Sequence, residues 1–179
     1  MFAALRSFGC VPSFLMASVY HAACTEAGTR ELSCVEEALD SGDDVLQCAK
    51  SGAQDLDVTA IAATLTQVNP FTAIDLSSNE LGAGAAASLK NLLAEEQGAK
   101  ITSLDLSHNN LSEVAVESLL AGLQGNTTLR ELRLSGNPVR GAGALMLAGV
   151  RTTGTLSSTS EGGRPSAARA ASTPASLTS

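Results

Sequence analysis

Three sets of residues in this chain have types and spacings that could do chemistry. Gly82-Ala83-Gly84-Ala85-Ala86-Ala87 has the pattern of a glycine-rich dinucleotide loop. Asp105 follows at about the distance where such a site places its ribose-binding acid. The four cysteines Cys10, Cys24, Cys34 and Cys48 could bridge one another or hold a metal. Asp75, Asp105, Glu131 and Arg133 recur at matching places in successive segments and could set the electrostatic fit of a bound partner.

The glycine pattern fails on its surroundings. A phosphate loop leaves its strand directly, so that backbone amides at a helix N-terminus meet the phosphate. Here Ser77 to Leu81 intervene after Leu76, and a related Gly141-Ala142-Gly143 occurs further on. The glycines therefore belong to a repeat, and no cofactor is expected. The cysteines show no close pair of the zinc or redox kind. Two readings stand for them: buried free thiols, or one or two disulfides in a secreted form. His21 and His108 are isolated, and Glu36-Glu37 and Glu95-Glu96 read as exposed helix faces. No nucleophile–base pair and no metal-ligand cluster emerges, so the chain is not expected to be an enzyme.

The elements that position these residues follow from hydrophobic periodicity. Residues 71–150 fall into three units beginning at Phe71, Ile101 and Leu129, spaced 30 and 28 residues apart. Asn79, Asn109 and Asn137 keep the same spacing. Within a unit, residues such as Leu104 and Leu106 alternate as in a strand with one buried face. Leu89, Leu92 and Leu93 then fall at i, i+3 and i+4, as on an amphipathic helix. A strand and a helix recurring at this period predict a solenoid, because one such unit cannot hide its apolar face alone. Apolar residues make up 44% of the chain and aromatics 3%, which suits a stack of small, similar pieces. A weaker unit precedes these three, with Leu46, Cys48, Ser51, Ile61 and Leu65 in matching places and a helix predicted from about Leu56 to Val68.

The spacing Ile101, Leu104, Leu106, Asn109, Leu111 and the Ala/Gly-rich helix starts resemble the ribonuclease-inhibitor-like class of leucine-rich repeats. That resemblance implies an α/β fold: a short leucine-rich repeat solenoid, or horseshoe, with parallel strands on the concave face and helices on the convex face. It also implies that Asn79, Asn109 and Asn137 turn inward as a structural ladder bonding the backbone bend after each strand. Val114 and Ala142 stand where the first unit has Gly84, and Val139 replaces a leucine. In a horseshoe the residues alternating with the core line the concave side: Asp75 and Ser77; Ser103, Asp105 and Ser107; Glu131, Arg133 and Ser135. Adjacent strands lie about 4.8 Å apart, so Asp75 and Asp105 should be neighbouring like charges with Arg133 next in the row.

Four zones result. Residues 1–33 are an apolar leader, read either as a signal peptide cleaved near Cys24 or as an irregular segment; Pro12 and His21 interrupt the run. Residues 34–70 are an N-terminal cap or degenerate repeat, and residues 71–150 hold the three repeats. Residues 151–179 form a Ser/Thr/Ala-rich tail that lacks the apolar surface to offset its ordering entropy and is expected to be disordered. No further unit follows the third, so the strand edge at 129–134 needs cover from another chain or the tail, or else the chain is a fragment of a longer repeat array.

The expected function is a non-catalytic protein–protein interaction module, with an unidentified protein as partner. Alternatives are a regulator of a small GTPase resembling the Ran GTPase-activating protein, for which Arg140 is the candidate arginine, and a secreted or surface recognition protein. The net charge of −7 argues against nucleic acid and against anionic membranes as partners. The expected location is the cytoplasm, or outside the cell if residues 1–24 are a cleaved leader.

Overall fold

A computed structural model describes residues 13–95, 100–124, 126–139 and 156–157. Two helices open the described chain, α1 (Ser13–Ala27) and α2 (Ser33–Ser41). Strands and helices then alternate: β1 (Val45–Gln47), α3 (Asp55–Gln67), β2 (Ala73–Asp75), α4 (Ala83–Ala94), β3 (Ser103–Asp105), α5 (Glu113–Gly122) and β4 (Glu131–Arg133). A two-residue strand, β5 (Leu156–Ser157), follows. All pair in parallel in the order β1-β2-β3-β4-β5.

The register explains why the leucines recur. Leu46, Ile74, Leu104 and Leu132 lie side by side across the sheet, and each is buried. Two residues on, Cys48, Leu76, Leu106 and Leu134 fill a second buried row. Helices α3, α4 and α5 cover this side, with Ile61 and Leu65, then Leu89, Leu92 and Leu93, then Val116, Leu119 and Leu120 facing inward. Each helix has its own start signal. Gln54 and Asp57 form a capping box on α3, and the Ser112 hydroxyl accepts from the Ala115 amide on α5 at 3.3 Å.

Helix α4 starts differently. The Asp55 carboxylate, reaching over from α3, accepts from the Gly82 amide at 2.6 Å and the Gly84 amide at 2.9 Å. A Cβ at Gly84 would stand 2.7 Å from the Asp55 Oδ2. The glycine pattern thus makes room for a carboxylate that caps the next helix and neutralises its positive end. One period later the residue matching Asp55 is Ala83, so Val114 fits where Gly84 was needed. Gly84→Ala and Asp55→Ala should each cost about 1 kcal/mol, the usual worth of a lost N-cap. Urea unfolding of both and of the double variant checks this, and the double should cost no more than either single.

Two expectations change. The leader is not irregular over Ser13–Ala27: Met16, Val19, Tyr20, Ala23 and Cys24 form one buried stripe that packs on α3. The Tyr20 hydroxyl accepts from the Leu32 amide at 3.0 Å, tying α1 to the start of α2, and burial pushes its ionisation well above the usual range. The cap therefore begins at α1 rather than at residue 34; residues 1–12 lie outside the described residues. Secondly, the free-thiol reading fails for two cysteines, because Cys34 and Cys48 are joined in a disulfide. Cys24 is a buried free thiol, its ionisation raised by that burial, and Cys10 lies outside the described residues. Of the covers considered for the strand edge at 129–134, the structure shows the tail: Leu132 and Arg133 stand opposite Leu156 and Ser157. The tail supplies that strand because even two residues satisfy backbone groups that an open edge would leave bare. The rest of the tail lies outside the described residues. Among the described residues, no helix is long and apolar enough to cross a membrane.

Candidate functional site

The candidate site is the strand face turned away from the helices. Pairing sets Gln47, Asp75, Asp105 and Arg133 in one column and Val45, Ala73, Ser103 and Glu131 in another. Asp75 and Asp105 are thus nearest neighbours. Both are half-buried, while Gln47 and Arg133 are exposed.

The two carboxylates are only partly free to meet a partner. Asp75 Oδ1 accepts from the Ser77 amide and Asp105 Oδ1 from the Ser107 amide, each at 2.9 Å. Each aspartate closes its own turn, which short acidic side chains do well. The remaining oxygens differ. Arg133 reaches Asp105 Oδ2 at 3.4 Å and clamps Glu131 at 2.6 Å. These contacts, Glu131 first and Asp105 second, hold the guanidinium above its ordinary ionisation range. Among the described residues no cation pairs with Asp75. The column thus runs from neutral Gln47 through unneutralised Asp75 to a compensated cluster at Asp105, Glu131 and Arg133. The serines join this lattice: Ser135 bonds Ser107 at 3.0 Å, and Ser103 donates to Glu131 at 3.3 Å.

Beside this face runs the ladder of asparagines, and it is structural. The Asn109 amide group donates to the carbonyls of Leu76, Leu106 and Ser107 at 3.0, 3.0 and 3.3 Å, and its oxygen accepts from the Asn79 and Leu81 amides at 3.2 Å. Asn79 serves Cys48, Leu76, Ser77 and Ala53 in the same way. Asn137 serves Leu106, Leu134 and Leu111. With every polar atom engaged, these side chains have nothing left for a ligand.

Sequence reasoning missed one column. Lys50, Ser78, His108 and Gly136 precede the asparagine position in successive units, and all four take positive φ, from 55° to 71°. Only the last is the glycine that such a backbone favours, so composition gave no signal. The His108 ring lies over Gly136, where a Cβ would come within 2.4 Å of it. With Asn79, Glu80, Asn109 and Asn110 these two residues line a shallow, open, polar groove along the edge of the sheet. Among the described residues no cluster of side chains could hold a metal ion.

Comparison with known proteins follows this geometry. Residues 99–120 and 125–148 each match the family model of the leucine-rich repeat. A solved structure of leiomodin-1 actin-binding site 2 is similar over 70% of this chain and 77% of that one, at 19% identity and a TM-score of 0.57. At that identity the likeness speaks to the fold alone. No curated protein matches the sequence.

Proposed function

We propose that this chain, whose residues 99–120 and 125–148 match the leucine-rich repeat model, is a non-catalytic module that binds another protein across the face of β1–β4. The observation that carries this reading is the column Gln47, Asp75, Asp105, Arg133, a polar strip set on a rigid sheet whose other side is sealed by helices. A flat row of fixed charges suits docking rather than turnover, since it encloses no substrate and sets no nucleophile beside a base. The subtype we infer is ribonuclease-inhibitor-like, supported by a full helix of 13, 12 and 10 residues in α3, α4 and α5. One structural neighbour is an actin-binding site of leiomodin-1, which makes actin the first partner to offer this chain. The GTPase reading turns on Arg140, which lies outside the described residues, and no contact favours it.

The test uses whichever complex forms, with actin or with a partner identified by affinity capture. Asp75→Arg with Asp105→Arg should weaken it by roughly tenfold or more, since like charges facing across an interface cost several kcal/mol. Asn91→Arg, on the exposed side of α4, should leave it unchanged. A complex indifferent to the double charge swap would rule this face out.

A further inference from the structure

We propose that the Cys34–Cys48 disulfide is a redox-sensitive clasp: closed, it holds α2 on β1; reduced, it frees α2 and uncovers the first strand of the solenoid.

The two sulfurs sit in unequal settings. Cys48 occupies a core position in the row of Leu76, Leu106 and Leu134 and is fully buried. Its backbone is held without help from the sulfur. The amide donates to the Asp75 carbonyl at 2.8 Å, and the carbonyl accepts from the Asn79 amide group at 2.8 Å and the Ser51 hydroxyl at 2.9 Å. Reduction leaves this strand in place, with a thiol filling the leucine-sized site.

Cys34 sits on the second residue of α2, half-buried, where a reductant can reach it. Helix α2 is short and acidic, and apart from the disulfide it is held by a small apolar face. It is nine residues long, shorter than helices that persist alone. Its N-cap is Leu32, which makes no side-chain cap bond, and no basic residue stands in its last turn. Glu36, Glu37 and Asp40 crowd it with like charge, and Glu36 and Asp40 face each other at i, i+4. A hydrogen bond with the neighbouring Glu31 carboxyl, and then the charge of Glu31 and Asp40, shift the Glu36 carboxyl upward, so that it holds its proton to higher pH than a free glutamate. Against these stand the buried Leu32, Val35, Ala38 and Leu39, the Tyr20–Leu32 hydrogen bond and the left-handed Gly42 at the C-cap. The covalent bond therefore adds the constraint that keeps this short, like-charged helix fully docked.

The chemistry balances with a dithiol reductant. Its thiolate attacks the Sγ of Cys34, forming a mixed disulfide and expelling Cys48 as a thiolate that takes up a proton. The second thiol then displaces Cys34, leaving two protein thiols and an oxidised dithiol. In a reducing compartment such a bond would be transient rather than structural, which suits a bond on a short, acidic helix. Since β1 also carries Gln47, the first member of the polar column, the clasp acts beside the binding face. The inference holds whichever partner that face takes.

Amide exchange of the full-length chain, oxidised and after dithiothreitol, tests the clasp. Exchange in residues 32–41 should quicken by about 100-fold on reduction, the effect of releasing a loop of this size. The amides of β2 and β3 should exchange at an unchanged rate. Cys34→Ser should show the fast rate in both conditions. Three results would overturn the proposal: equal exchange in residues 32–41 with and without reductant; acceleration spread evenly over the whole chain, which makes the bond a general staple; or alkylation of Cys34 and Cys48 in protein that has met no reductant.

Discussion

Asn109→Ala should cost about 4 kcal/mol of stability, read from the midpoint of urea unfolding. The side chain is buried and holds five backbone groups on two successive turns. A buried polar group left without a partner costs about 1–3 kcal/mol, and neighbouring losses do not add in full because water enters the gap. Asn109→Asp should be nearly as damaging, since a carboxylate cannot donate to the Leu76, Leu106 and Ser107 carbonyls and would face them with negative charge. Asn137→Ala should cost distinctly less, because that side chain is only half-buried and serves fewer groups. A loss below about 1 kcal/mol for Asn109→Ala would show that solvent, and not the side chain, satisfies these turns.

The second large effect concerns the first described helix. A chain beginning at Thr25 should fail to unfold cooperatively, as read by circular dichroism on heating. Its truncation removes Met16, Val19, Tyr20, Ala23 and Cys24 from the core, together with the acceptor of the Leu32 amide. Burying three large apolar side chains is worth about 5 kcal/mol or more, comparable with the whole stability of a small domain. A sharp transition within a few degrees of the full chain would show that α1 is dispensable and would revive a leader cleaved near Cys24.

That helix also marks where the sequence stopped being legible. Its buried positions follow i, i+3, i+4, i+7, i+8 without a fault. Phe14, however, is 75% exposed, and Ala22 faces outward as well. Apolar residues on both sides erase the contrast that periodicity depends on, so the run resembled a leader. The repeats were legible for the opposite reason. Leu76 and Leu106, or Asn79 and Asn109, state the same requirement twice at a fixed interval, and coincidence does not do that. Cysteine pairing was out of reach because four cysteines permit several connectivities and spacing does not choose among them. At the candidate site the column was legible, including the closeness of Asp75 and Asp105. That each aspartate also closes its own turn depends on a backbone bend that no residue type announced.

The ladder also gives the array a direction. Each unit's turn is completed by the unit after it: Asn79 reaches back to Cys48 and Ala53, Asn109 to Leu76 and Leu81, Asn137 to Leu106 and Leu111. The units of β1, β2 and β3 are thus each closed by their successor. In a one-dimensional stack, where units speak only to neighbours, such one-way support makes the two ends unequal. Loss of any described unit should therefore open the turn of the unit before it and leave the turn of the unit after it intact.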